Sequence, residues 1–429
     1  MQLRGLSKVA IILLVSVSLA AKWAGAQQTA PSMRLDLDQA IQLALAHNHA
    51  LRATRTQIQQ SQAAEITAGL RPNPVLNMDY NFLPIFSPSV FSVPELQRSL
   101  PQEFDAGIAY TIERGRKRLA RVQAARDQTT VTQSQVQDSE RALIFNVAQQ
   151  FIGVLFAKST LEFAAQDLAS FQHTVDIGEY RYKAGDISKG DLLKIQLQLL
   201  QFQTDVSSAQ LALIQALANL RQLLGYDAVP ENYDVIGELT YTPLHMTKED
   251  LEAMALTARP DLIAAERGVT AAQSQNTLAK ANGKRDLTLS FQFSHAVGVN
   301  AADFAGNMEI PIFTRNQGEI ARTHFAMDQA EELRTEAQQA VITDVVDAYE
   351  GLRTNGKVVE FYQGRYLKQS EESLDISQFA YGRGAASLLD FLDAERSYRA
   401  IQLAYRQALS SCMISLEQVR EAVGKRNLP

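Results

Sequence analysis

Residues 102–229 and 312–428 contain no proline. Proline is nearly excluded from helix interiors, so two such stretches leave room for helices far longer than usual. Both are rich in Ala, Gln, Leu, Glu and Arg, which are strong helix formers. Each holds one glycine-containing interruption, "YRYKAGDISKGDLL" at 180–193 and "AYGRGAASLLDF" at 380–391. Each block therefore predicts a helical hairpin. The interruptions align without a gap, Tyr182 with Tyr381, Gly185 with Gly384, Ser188 with Ser387, Asp191 with Asp390 and Leu193 with Leu392. The segments before the blocks repeat too: "ALAHNHALRATRTQIQQSQAA" (44–64) resembles "ALTARPDLIAAERGVTAAQSQ" (255–275) at a constant offset of 211. The chain is a duplication of about 200 residues.

After each repeated segment the period changes from helical to two. "LNMDYNF" sets Leu76, Met78, Tyr80 and Phe82 against Asn77, Asp79 and Asn81, and "LTLSFQFS" sets Leu287, Leu289, Phe291 and Phe293 against Thr288, Ser290, Gln292 and Ser294. Such alternation marks strands with one apolar and one polar face. Their partners are expected in "FDAGIAYTI" (104–112) and "FAGNMEIPI" (304–312), where a proline is tolerable near a strand end. The first repeat then spans 27–225, with strands about 74–82 and 103–113 and a hairpin at 115–224. A linker follows at 226–247, and the second repeat spans 248–429, with strands about 286–296 and 303–313 and a hairpin at 316–424. Segment 82–102 is expected to be a long external loop and "AVGVNAAD" a short one; the linker and short helices at 36–46 and 248–257 are expected to form a belt around the middle of the helical part.

The arm at 115–183 would run about 100 Å at ~1.5 Å per residue, many times the mean helix of ~11 residues. The returning arm at 188–224 covers about 55 Å and the segment at 49–71 about 35 Å, so two short helices laid end to end nearly match the long one. The second half repeats the sum with 316–383, 387–424 and 260–282. Ala330, Leu333, Ala337, Val341, Val345, Ala348 and Leu352 follow coiled-coil spacing. Four amphipathic strands suit a transmembrane barrel, yet the smallest such barrels need ~8 strands and a lipid-facing sheet cannot leave open edges. Several chains must contribute, and three would supply twelve strands and twelve helical columns. The expected fold is mainly α with a small β part: duplicated helical hairpins forming a long α-helical barrel, joined to a four-strand contribution to a trimeric 12-stranded transmembrane β-barrel.

Arg4 and Lys8, an apolar run from Val9 to Ala21, and a small-residue site ending at Ala26 predict a Sec signal peptide at 1–26. Its removal takes Arg4, Lys8 and Lys22 and no acid, so the formal charge of −6 becomes −9. An exported acidic chain is a poor partner for nucleic acid. The one cysteine, Cys412, lies far from the cleavage site, so no lipid anchor and no intrachain disulfide are expected. No other stretch supplies the eighteen or so consecutive apolar residues of a membrane-spanning helix.

"LDLDQAIQLALAHNHALRATRTQ", "RPNP", "IPIFTRNQGEIAR" and, most specifically, "YGRGAASLLDFLDAERSYRA" resemble the outer-membrane efflux proteins, the TolC-like trimeric channel-tunnels. "YTIERGRKRLARVQAAR" resembles the strand-to-helix junction of the heavy-metal efflux, CzcC-like subgroup. The resemblance covers nearly the whole mature chain. It implies an outer-membrane, periplasm-spanning homotrimer that passively conducts substrate from a periplasmic adaptor and an inner-membrane transporter, of the resistance-nodulation-division type. It implies a periplasmic constriction at Asp390 and Asp393, a gate-tying tyrosine at Tyr381, and adaptor-contacting hairpin tips at Gly185, Asp186, Ser188, Gly384, Ala385 and Ser387. Six carboxylates around one axis should favour cations and raise the pKa of some of the acids. The position of the family's gate-tying arginine is Ala386.

Taken alone, Asp390 and Asp393 read as a solvated helix face. As an acid/base pair they would need a substrate cleft between them, and adjacent turns of one exposed helix offer none, so no enzyme is expected. His47 and His49 point different ways on a helix, which favours a junction role over a metal site; no metal and no cofactor are expected. Arg114, Arg116, Lys117, Arg118 and Arg121 could meet lipid phosphates where strand becomes helix, or form a solvated collar. Cys412 reads as a small packed residue. A non-pore periplasmic coiled-coil scaffold would explain the helices but not the strands in duplicate. A protein-secretion duct and ducts for drugs, solvents or metals share the same chain features.

Overall fold

A computed structural model of the chain describes residues 33–81, 103–296 and 298–428. The expected signal peptide and the loop at 82–102 lie outside the described residues. The first repeat contains β1 (Met33–Leu35), α1 (Leu37–His47), α2 (His49–Gly69), β2 (Val75–Asn81), β3 (Glu103–Ile112), α3 (Lys117–Ala184) and α4 (Lys189–Leu224). The linker carries β4 (Tyr233–Val235). The second repeat contains α5 (Lys248–Ala258), α6 (Pro260–Asn282), β5 (Leu287–Ala296), β6 (Val299–Asn307), α7 (Gln317–Phe361), α8 (Leu367–Gly382) and α9 (Leu388–Val423). The arm expected as one helix at 316–383 is instead divided by a π-turn at Tyr362–Tyr366, where Tyr362 packs against Tyr366 and Tyr405 and Gln363 donates to the Tyr405 hydroxyl.

Two compact units draw on both repeats: 33–48, 146–242 and 355–414 form one, and 49–145, 243–354 and 415–428 the other. In the first unit β1 pairs with β4 in parallel and α1 packs on α4. A capping box starts α1: the Asp36 N–H donates to Gln39 Oε1 at 3.1 Å, and the Gln39 N–H to Asp36 Oδ1 at 2.8 Å. By length and composition α3 is apolar enough to cross a membrane, although it holds no run of eighteen consecutive apolar residues. Val147, Ala148, Phe151, Ile152, Val154 and Leu155 are buried, so one side of this stretch packs in the core.

The duplication is visible as one joint built twice. In the first unit the chain breaks at Asn48, whose Nδ2 donates to the Leu223 carbonyl at 2.9 Å, closing the end of α4. Gly225 follows at φ +95, and a Cβ there would stand 3.2 Å from the His47 carbonyl oxygen. In the second unit the break falls at Arg259, whose Nη1 donates to the Ala422 carbonyl at 3.5 Å. Gly424 follows at φ +75, with a Cβ position 3.2 Å from Arg259 Cα. A left-handed residue with backbone this close is a place for glycine alone. His47 closes α1 at the first joint, the junction role expected of it.

The second unit holds a four-stranded antiparallel sheet in the order β2-β3-β5-β6. The register places Leu76, Ile108, Phe291 and Phe304 in one row across the four strands, and all four side chains are exposed. The next row in the same direction holds Asn77, Gly107, Gln292 and Asp303. One face is apolar and the other polar, as the alternation predicts. The last strand differs: it was expected at about 303–313 and lies at Val299–Asn307. The connection at Gly298 (φ +79) is tight and pairs Ala296 with Val299, so pairing ends before the alternating apolar residues Met308, Ile310 and Ile312. Along α7, Val341, Val345, Ala348 and Leu352 are buried, whereas Leu333 is 51% exposed; the coiled-coil spacing finds its partners only in the later part of the helix.

Arg259 is 3% exposed and binds Asp261 through Nε and Nη2, and Asp344 through Nη1 at 2.7 Å. Burial works to raise the Asp261 pKa, but the bonds from Arg259 outweigh it and hold the carboxyl below its usual range. Arg259→Ala is expected to destabilise the protein by about 2 kcal/mol, because it leaves the part-buried Asp261 and the Ala422 carbonyl without their donor. A depressed carboxyl pKa stabilises above the ordinary carboxylate range, and that contribution is lost as pH falls through the folded value. The variant should therefore lose part of the acid sensitivity of the wild type, checked by thermal melting at pH 7 and pH 4.

Candidate functional site

Two hairpin turns of the first unit are built to one plan. At the first, the Asp186 N–H reaches back to the Arg181 carbonyl at 2.8 Å and Gly185 sits at φ +85. At the second, the Ala385 N–H reaches the Ala380 carbonyl at 2.8 Å and Gly384 sits at φ +75. Both are glycine-terminated Schellman closures. Each is followed at once by a serine cap: the Asp191 N–H donates to Ser188 Oγ at 3.1 Å, and the Asp390 N–H to Ser387 Oγ at 3.2 Å. Gly185, Asp186, Ser188, Gly384, Ala385 and Ser387 are all exposed.

The cap gives Asp390 a structural task that the sequence reading did not assign. Its Oδ2 accepts from the Ser387 hydroxyl at 2.7 Å and the Ser387 N–H at 3.1 Å. Those two bonds hold its pKa below the usual carboxylate range; the rise expected from six carboxylates concerns three copies around one axis, not one chain. Within one chain, the cap is nearer than any other carboxylate and decides the sign. Asp393 is open to solvent, with Arg396 at 3.9 Å. The two carboxylates are thus presented on the first turns of α9, one fixed and one free.

Tyr381 is buried and stacks on Phe391 with ring centroids 5.4 Å apart. Arg181, from the end of α3, lies over the Tyr381 ring at 5.0 Å and donates Nη1 to the Tyr381 carbonyl at 3.0 Å. The Tyr381 hydroxyl is buried without a hydrogen-bond partner, and burial raises its pKa. Phe171, Val175, Ile195, Phe202, Leu388 and Phe391 complete this core cluster. With Ala386 in the second turn, the arginine that ties the two hairpin ends together here is Arg181. It was missed because it belongs to the other repeat and its partner is a backbone carbonyl.

Behind the tips lies a polar knot that was also missed. Arg399 on α9 pairs with Asp167 on α3 at 2.6 Å and with Asp205 on α4, and stacks over Phe202 at 4.1 Å. Arg399 Nε and Asp167 Oδ2 are close but not aligned as donor and acceptor, so their contact is an ion pair rather than a directed hydrogen bond. Glu395, 5% exposed, borders the same groove. Burial, then the charge of Asp167, pushes its pKa up to about 7, against the pull of Arg399 and Arg396. Three carboxylates face one guanidinium, and holding a proton is how Glu395 tolerates the site. The local signal was the polar run "DAERSYR" on an otherwise apolar helix face, but its partners are some 190 to 230 residues away and cannot be read from spacing.

Cys412 is buried, as a packed residue, and among the described residues no group of His, Cys, Asp and Glu could hold a metal ion.

Comparison with known proteins places these features in a family. The family model described as "Outer membrane efflux protein" matches residues 40–226 and 251–425. The chain is 24% identical over 385 residues to the pyoverdine export outer membrane protein OpmQ of Pseudomonas aeruginosa, covering 86% of this chain and 80% of that protein. It is 22% identical over 393 residues to the cobalt-zinc-cadmium resistance protein CzcC of Cupriavidus metallidurans, covering 91% and 90%. Its fold matches the crystal structure of the CmeC outer membrane channel of Campylobacter jejuni with a TM-score of 0.76, at 17% identity over 90% of this chain and 85% of that one.

A group whose folded pKa is raised above its ordinary value loses stability as pH climbs between the two. For Glu395 that window runs from 4.5 to about 7. Glu395→Gln is expected to be more thermostable than the wild type at pH 8, by on the order of 1–3 kcal/mol, and to flatten the pH dependence across the window. Melting curves of both proteins from pH 4 to pH 8 check this.

Proposed function

The chain belongs to the outer membrane efflux protein family, and from that premise we propose that it conducts solute passively through an acidic constriction formed by Asp390 and Asp393 of each copy. Members of the family work as trimeric channels with adaptor and inner-membrane pump partners. The chain is the outer-membrane component of a tripartite efflux system, extending into the periplasm. The family is one of transporters, not enzymes.

One observation carries the pore reading furthest. The four-stranded sheet turns a row of large apolar side chains outward, and among the described residues β2 and β6 each have one side without a partner strand. A water-soluble scaffold has no use for that surface, whereas three copies joined edge to edge would close it into twelve strands facing lipid. At the other function-bearing region, Asp390 is held ionised by its cap and Asp393 is free and solvated. Repeated three times around an axis, such groups keep a narrow passage wet and attract cations.

The exposed turns at Gly185, Asp186 and Ser188 and at Gly384, Ala385 and Ser387 are the surfaces we assign to the adaptor. The pump we assign is of the resistance-nodulation-division type, as the resemblance of the sequence to the channel-tunnels implies; the chain itself has no phosphate-binding loop with which to supply energy. Tyr381, its carbonyl held by Arg181, is assigned to the closed gate.

Single-channel current through a planar bilayer tests the constriction. Wild-type protein should give a small, cation-favouring conductance, and the Asp390→Asn, Asp393→Asn double variant should lose most of that selectivity. A soluble, non-inserting wild-type protein would overturn the pore, and unchanged selectivity in a conducting variant would overturn the assignment of these two residues.

A further inference from the structure

At the strand-to-helix junction of the second unit, a cleft of about 940 Å³ is lined by Arg114, Lys280, Lys284, Arg285 and Arg315, with Glu309 as the one acid among its lining residues. We propose that this cleft binds the phosphate headgroups of anionic phospholipids in the periplasmic leaflet of the outer membrane. The proposal rests on the membrane reading of the sheet and adds to it a specific lipid contact.

The cleft is built rather than incidental. Gly115 sits at φ +70 with the stem of Lys284 so close that a Cβ would lie 2.6 Å from its Cγ. Gly283 lies against the Arg315 carbonyl, 2.8 Å from where a Cβ would stand. Arg116 (φ +60) and Asn316 (φ +64) make the corresponding sharp turns before α3 and α7, and Asn316 Nδ2 donates to the Ala279 carbonyl at 2.7 Å. These approaches bring cations from both repeats together.

Little within the chain neutralises the cleft. Asp286 is taken by Lys117 at 2.8 Å and accepts the Arg114 backbone N–H, with only the charge of the Arg114 guanidinium reaching it. Arg114 turns its guanidinium to Met308 Sδ at 3.1 Å. Among the described residues, Arg114, Lys280, Lys284 and Arg315 form no ion pair; Arg285 pairs with Glu309, which is 78% exposed, and its Nε is buried with no acceptor. Such crowding of like charge is unfavourable unless an anion comes from outside, and the chain as a whole is acidic. Directly beside the cations run Ile310, Ile312 and Phe313, exposed by 77%, 66% and 90%. A surface that passes from bare apolar side chains to unpaired cations over a few residues matches the boundary between acyl chains and phosphates.

Native mass spectrometry of the detergent-extracted mature protein, equilibrated with equal amounts of phosphatidylglycerol and phosphatidylcholine, tests the proposal. Wild type should retain phosphatidylglycerol preferentially. Each cation near such a surface is worth about fivefold, so Lys284→Gln with Arg315→Gln should cut the preference roughly 25-fold. Lys280→Glu, a change at an exposed side chain, should cut it as well, and Arg322→Gln, paired with Glu319 outside the cleft, should leave it unchanged. Equal retention of the two lipids by wild type, or a preference that survives both cleft variants, overturns the proposal. So does full displacement of phosphatidylglycerol by equimolar inorganic phosphate, which would make this a site for the free anion. Conductance of the wild type in a neutral-lipid bilayer is read separately: a conducting protein without lipid preference removes only the headgroup site, whereas failure to insert removes the channel.

Discussion

The constraint on which the sheet depends is where its backbone hydrogen bonds can end. Among the described residues, β3 and β5 are paired on both sides, whereas β2 and β6 each pair on one side only. In water such an edge invites aggregation, and in hydrocarbon it is untenable. The apolar side chains at Leu76, Ile108, Phe291 and Phe304 are exposed in the same sheet, so solvent on that face is unfavourable too. Both problems have one solution, which is to close the sheet with further copies inside a bilayer. The apolar face and the trimeric habit of the family are two views of one requirement.

The helical part answers a different problem, the ends of long helices. Four orphan carbonyls at each C-terminus and four N–H groups at each N-terminus must be satisfied without breaking the hairpin. The chain does this with glycine closures at Gly185 and Gly384 and serine caps at Ser188 and Ser387. At the other ends of the returning helices it uses Asn48 and Arg259, which donate to the Leu223 and Ala422 carbonyls. The duplicated joint conserves geometry while changing chemistry: a neutral amide suffices at one copy, while the other carries a buried guanidinium with two carboxylates.

How much of this is legible in the sequence follows from the range of each interaction. Helical arms, turns and alternating strands are local patterns, and they are found where proline, glycine and period place them. The register of β6 is not, because apolar alternation continues through Met308, Ile310 and Ile312 while the tight connection at Gly298 has already fixed the pairing. The π-turn at Tyr362–Tyr366 contains Gly364, but Gly351 and Gly356 stand inside ordinary helix, so a lone glycine does not mark it. At the candidate site, Asp390, Asp393 and Tyr381 stand out through a motif, but Arg181, Asp167 and Asp205 act across hundreds of residues. Asp390 itself was legible as a cap, since Ser-x-x-Asp recurs at 188–191 and 387–390.

Asp390 and Glu395 lie five residues apart on α9 and carry opposite displacements. Exposure leaves Asp390 free to accept two bonds from Ser387, which favour the ionised form. Burial beside Asp167 and Asp205, with Arg399 already shared between them, favours the neutral form of Glu395. The division has a physical consequence for a channel end. Charge costs little at the solvent-facing turn, where the proposed constriction would use it, and is a liability one turn deeper, where helices must pack against each other. A single helix meets both demands because solvent access, rather than residue type, decides which carboxyl keeps its proton. Packing of α9 against α3 and α4 is therefore compatible with a fully charged tip, and the two can vary independently.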